Sequence, residues 1–174
     1  MLLWQIVETV LIIILGVILH FLYDWTGKNK FVATFSAVNE STWEHLKLAF
    51  FPFLLFGIID FIFASPYANN IIFATTIALF SSITIITILF YSYLGIIGKN
   101  VDVINISIFV IAVIVAKYIS YRIMLLPNFE NIYYILLSSY FIYLTTFCFA
   151  IFTFAPPNIN LFRDPITGKY GIEK

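Results

Sequence analysis

The chain has 174 residues, 62% hydrophobic, 20% aromatic and 10% charged, with nine Lys+Arg against nine Asp+Glu. Soluble domains average roughly 45–50% apolar and about 25% charged residues, so a water-soluble globule would lack polar surface, and the many aromatic and branched residues exclude disorder. Zero net charge gives no basic field for nucleic acid, which leaves a multi-pass protein of the lipid bilayer.

A helix crossing a hydrocarbon core of about 30 Å needs about 20 mainly apolar residues. Five runs meet that length: residues 2–23, 46–63, 70–94, 103–126 and 132–154. Asp24 and Gly27 close the first and Ser65-Pro66 the second. Gly95, Gly98 and Lys99 close the third, Pro127-Asn128 the fourth and Pro156-Pro157 the fifth. The fold class is an all-α integral membrane bundle of five transmembrane helices, one domain over residues 1–174 with a tail at 155–174.

The first residues, Met1-Leu2-Leu3-Trp4-Gln5, carry no Lys or Arg, unlike a secretory signal, so the first run is expected to remain as a span. Lys28, Lys30 and Lys47 mark the first loop, Lys99 the third, and Arg163, Lys169 and Lys174 the tail. The second loop has no cation, and the fourth has only Glu130. Every basic segment falls on one side if the N-terminus is outside and the C-terminus cytoplasmic, in the cell (plasma or inner) membrane.

Charges within the spans cost about 2.5–3.5 kcal/mol at mid-helix and need partners or a wet cavity. Counting about 1.5 Å per residue, Lys117 of the fourth span lies near the midplane and Arg122 towards the outer face. Glu8 of the first span and Asp60 of the second share that outer half. An ionic group of Glu8, Asp60, Lys117 and Arg122 is therefore expected, either a proton or substrate-ion site or charge-paired structural glue.

A second polar cluster gathers on the predicted cytoplasmic side. His20 and Asp24, four apart, project from one face of the first helix. The first loop between Lys30 and Asn39 reads Phe31-Val32-Ala33-Thr34-Phe35-Ser36-Ala37-Val38. It is too apolar for water and too short to cross, which implies an interfacial or re-entrant segment packed under the bundle. After it, Ser41-Thr42-Trp43-Glu44 reads as a capping box in which Ser41 caps the next helix and Glu44 reaches back to its N–H. Glu44 and Lys47 have the spacing of a surface pair. His20, Asp24, Glu40 and His45 remain as candidate ligands for a divalent metal such as zinc or manganese, or as catalytic acid–base groups.

Pro52 is expected to kink the second span. The Ser and Thr residues of the third can bond their own backbone. In the fifth, Ser139, Tyr143, Thr146, Ala150 and Thr153 recur at helical intervals and read as a helix–helix seam. Cys148 is the single cysteine, so no intramolecular disulfide forms. The tail alternates apolar residues with turn formers, as a segment folded back under the bundle would, where Arg163 could pair with Glu40 or Glu44.

The segments Leu19-His20-Phe21-Leu22-Tyr23-Asp24-Trp25, Asn39-Glu40-Ser41-Thr42-Trp43-Glu44-His45-Leu46-Lys47 and Asp164-Pro165-Ile166-Thr167-Gly168-Lys169-Tyr170-Gly171 carry a resemblance. With them the chain resembles a family of small bacterial multi-pass membrane proteins of unknown function, which implies no activity. A narrower likeness, at His20 and Asp24, is to seven-span metal hydrolases of the alkaline ceramidase type. It implies metal chemistry at those residues, although the later paired histidines of that type are absent and the spans number five. Three readings follow: a small transporter or accessory subunit, a metal-dependent membrane hydrolase acting on a lipid or lipid-linked substrate, or a structural partner for another membrane protein or a second copy.

Overall fold

The computed structural model describes residues 1–172 and is all-helical, with five helices long and apolar enough to span a membrane. They are α1 (Leu2–Trp25), α2 (Thr42–Phe63), α3 (Ile71–Ile97), α4 (Asp102–Met124) and α5 (Ile132–Phe154). Lys174, counted above with the basic tail, lies outside the described residues.

Two boundaries differ from expectation by more than two residues. Helix α2 begins four residues early, at Thr42, because Ser41 is extended (φ −68°, ψ 151°) and its side chain accepts from Glu44 N at 3.4 Å. Half of the capping box is absent: Ser41 N donates to Asn39 Oδ1 at 2.9 Å, and the Glu44 carboxylate turns inward. Helix α3 runs through Gly95 to Ile97 and stops only where Gly98 adopts a left-handed conformation (φ +73°), a common C-terminal signal.

Helices α2 and α3 form the centre. Helix α3 packs most extensively on α4 and then on α2, while α1 lies against α2 and α4. Ile12, Phe50, Leu79, Val113, Ala116 and Phe149 are buried within one continuous core. Pro52 sits inside α2 without interrupting it, but it supplies no N–H to the carbonyl of Leu48. That carbonyl faces Gly16 of α1, where a Cβ would lie 2.7 Å from Leu48 O and 2.4 Å from Phe109 Cζ. Glycine at this position permits the approach of α1 to α2.

Helix α5 is the outlier, with 11% of its most apolar window buried against 50% for α2. The expected seam does not lie between α5 and the other helices: Tyr143 is 75% exposed, and of that stripe Thr153 alone is buried. The inward face instead carries Ser138, Phe149 and Thr153. At the end that carries the second and fourth loops, Asn70 clamps one to the other. Its Oδ1 accepts from Phe129 N and Glu130 N, and its Nδ2 reaches the carbonyls of Ile123 and Pro127.

The first loop closes the opposite end. Residues 32–34 form one 3₁₀ turn, and Ala33, Ser36 and Ala37 are buried. Ser36 Oγ donates to Leu19 O and accepts from Tyr23 N at 3.0 Å, so the loop satisfies its polar atoms against the end of α1.

Candidate functional site

Three side chains from separate elements meet at the end closed by the first loop. His20 comes from α1, His45 from the first turn of α2, and Glu40 from the bend at residues 39–40 before it. Glu40 Oε1 lies 3.8 Å from His20 Nε2, and Oε2 lies 3.4 Å from His45 Nε2. The imidazole centroids are 5.2 Å apart. One ligand atom from each of the three fits within 4.8 Å of the others, whereas zinc ligands in a formed site sit roughly 3–3.5 Å apart.

The surroundings fix these groups. His45 Nδ1 is 2.9 Å from Ser41 O; with the proton on Nδ1, Nε2 is left as the ligand atom, the usual arrangement for a metal histidine. His20 Nδ1 is buried and has no hydrogen-bond partner among the described residues. Asn39 holds the backbone beside Glu40, accepting from Ser41 N and donating to Gly171 O of the tail. The hydrogen bond from His45, aided by the charge of both imidazoles, holds the Glu40 carboxyl below the usual carboxylate range despite partial burial. Asp24 is outside this group of three: it is exposed, one turn beyond His20 on α1, and acts on the His20 imidazole through its charge alone.

The three side chains stand on the wall of a cavity of about 540 Å³ between α1, α2, α3 and α4. Val17, Ile86, Phe90, Ile108 and Phe109 give it an apolar floor, and Asn100, Asp102 and Asn105 form the facing polar edge. Tyr93 OH bonds both Asn100 Oδ1 (2.9 Å) and Asn105 Oδ1, while Asn105 Nδ2 donates to Asn100 Oδ1 at 2.7 Å. Ile166, at the tip of the tail, reaches the rim. Sequence spacing points to none of this edge, because a polar loop between spans is the default.

The outer-half charges form a different kind of group. Lys117 Nζ lies 2.5 Å from Glu8 Oε2 and 3.3 Å from Asp60 Oδ2, with all three side chains buried. Trp4 Nε1 donates to Asp60 Oδ1 at 2.8 Å and Gln5 Nε2 to Glu8 Oε2 at 3.0 Å. Gln5 is legible in the sequence as an i,i+3 neighbour of Glu8; Trp4 is not. Arg122 stands apart, exposed, donating to Tyr118 OH at 2.8 Å and lying over its ring. Its long side chain reaches the outer edge rather than the bundle axis, as a snorkelling cation does.

A third polar centre escaped the sequence. Glu44 and Lys47 are not a surface pair: they are 2.6 Å apart with side chains 1% and 0% exposed. Lys47 Nζ also donates to Ala33 O, Ser36 O and Thr153 Oγ1, and Glu44 Oε2 accepts from Val38 N. This ammonium is therefore a peg joining first loop, α2 and α5, not a loop cation facing water. The tail docks beside it: Phe162 lies on Trp43 with ring centroids 4.7 Å apart, and Ile172 N donates to Thr153 O at 3.0 Å. Gly171 (φ +59°) sits where a Cβ would be 2.5 Å from Thr153 O. Arg163 pairs with neither Glu40 nor Glu44, and its Nε reaches Gly168 O at 3.4 Å within the tail's own turn.

Five apolar helices with polar clusters sequestered between them define a helical multi-pass membrane protein. The chain belongs to the family of unknown function DUF6512, whose model matches residues 2–172. No curated protein and no solved structure matches it.

Proposed function

We propose that this is a metal-dependent membrane hydrolase, with His20, Glu40 and His45 as ligands of a zinc-type divalent cation and the adjoining cavity as the substrate site. The observation that carries the reading is the convergence of two imidazoles and one carboxylate, from three separate elements, on the wall of a cavity that is apolar elsewhere. Two histidines and a carboxylate are a catalytic zinc composition that keeps a fourth position for water, whose pKa falls to about 7 on the metal. In hydrolysis of an ester or amide, the water oxygen adds to the carbonyl carbon. The bond to the leaving oxygen or nitrogen then breaks, and the leaving group takes up a proton.

The reading as a small transporter or accessory subunit is built on polar groups at both depths, and of these the Glu8–Asp60–Lys117 group is held by ion pairs and does not line the cavity beside His20 and His45. The basic residues Lys28, Lys30, Lys99, Arg163 and Lys169 lie at the same end as the candidate metal centre. Under the positive-inside rule this end is cytoplasmic, with the N-terminus outside, in the plasma or inner membrane.

The test is metal analysis of the purified protein by mass spectrometry, with His20→Ala/His45→Ala as the control. About one zinc-type ion per chain in the parent, and none in a variant that still elutes as a folded species, is the expected result. Absence of stoichiometric metal from the parent, even after zinc is added, rules the proposal out.

A further inference from the structure

Resting on that metal-centre reading, we propose that the cavity takes an amphiphile whose head group is uncharged and rich in hydroxyl or amide groups. Phosphate-bearing lipids are then the wrong substrate class. The apolar floor of Ile86, Phe90, Ile108 and Phe109 suits a hydrocarbon chain, and the cavity volume of about 540 Å³ lies in the range of small-molecule sites. The selectivity comes from the polar edge.

No Lys or Arg is among the residues that line the cavity. Recognition of phosphate relies on those side chains, on open helix N-termini or on uncompensated metal charge. Two helix N-termini do reach this cavity, and each has a carboxylate of the lining beside it, Glu40 just before α2 and Asp102 in the first turn of α4. A phosphate would therefore meet like charge at both. Glu40 and Asp102 are the carboxylates on the wall, and together they offset a divalent cation held by His20, Glu40 and His45. With the metal bound, the lining is formally neutral and repels no uncharged head group, while a quaternary ammonium gains no net attraction.

The donors and acceptors are also arranged for hydroxyl or amide groups. Asn105 Nδ2 donates to Asn100 Oδ1 at 2.7 Å, which fixes the Asn100 amide and leaves its Nδ2 without a partner among the described residues. Asp102, two residues on, offers carboxylate oxygens at the same edge. An amide donor beside a carboxylate acceptor can pair both with the oxygen and with the proton of a hydroxyl.

Three amphiphiles sharing one acyl chain test this: a monoacylglycerol, its phosphate-headed lysophosphatidic acid counterpart, and an alkyl-trimethylammonium. Each is titrated into the zinc-loaded full chain in nanodiscs, with binding read by native mass spectrometry and zinc content in parallel. The monoacylglycerol should bind roughly tenfold more tightly than either charged probe, and Asn100→Ala/Asp102→Ala should remove that preference without changing zinc content, as loss of one or two hydrogen bonds to the head group predicts. Equal or tighter binding of the phosphate or ammonium probe overturns the proposal, as does a double variant that keeps the preference. Zinc absent while the monoacylglycerol preference persists defeats the metal reading and leaves the head-group assignment standing.

Discussion

The two ends of this bundle use the same residue chemistry for opposite purposes. At one end, Glu8, Asp60 and Lys117 are within bonding distance, buried, and braced by Trp4 and Gln5, although Glu8 Oε1 and Gln5 Oε1 have no partner among the described residues. At the other end, Glu40 stands 3.4 Å from His45 and 3.8 Å from His20, all three part-exposed, with His20 Nδ1 unpartnered among the described residues and a cavity beside them. The first group is closed by its own ion pairs and lines no cavity described above, whereas the looser set opens onto one and has room for a ligand. The contrast separates glue from site better than residue type does.

The contrast breaks most visibly at Lys117. Lys117→Met strands two buried carboxylates and should destabilise the protein by about 3–5 kcal/mol, read as a lowered thermal midpoint in detergent. Replacing Glu8, Asp60 and Lys117 together with apolar residues should recover most of the loss, and a triple variant as unstable as the single one would contradict a purely structural role. Next comes the peg: Lys47→Met leaves Glu44 unpaired under the first loop, with a similar cost of about 3–5 kcal/mol. Thr153→Val, which removes one hydroxyl from the same centre, should cost about 1–3 kcal/mol, and hydrogen exchange should rise first at residues 32–38 and in the docked tail.

At the open end the ordering reverses, with stability changing little and metal content changing most. His45→Ala or Glu40→Gln should lower zinc affinity at least tenfold while the thermal midpoint of metal-free protein stays close to the parent's; a collapse of stability there would make this cluster glue as well. Smallest of all, Arg122→Ala and Asp24→Asn should leave both folding and zinc content unchanged, since both side chains are exposed and outside the two groups. A clear loss of zinc in Asp24→Asn would restore Asp24 to the ligand set.

Several of these relations are legible without coordinates. Five spans follow from run length, and the shared depth of Glu8, Asp60 and Lys117 follows from counting along helices of fixed rise. Ser41 as a cap follows from residue type and position. The departures share a cause. Arg122, Glu44 and Lys47 each sit at the expected level but on a different side of their helix, and so does the stripe of Ser139, Tyr143, Thr146 and Ala150. In a soluble helix, the polar face tells which side is buried. These helices are apolar nearly all round, so their rotation leaves little trace in the sequence.

The sequence therefore determined the solvent, the number of crossings and the depth of each polar residue, because hydrophobic length and helical rise are local properties. Tertiary structure alone decided azimuth: which side chains face one another across helices, which are sealed and which open onto a cavity. The approach of α1 at Gly16, the folding of the first loop onto Lys47 and the docking of the tail at Gly171 set those rotations. Through them, His20, Glu40 and His45 become one group beside a cavity, while equally charged residues at the far end are closed away.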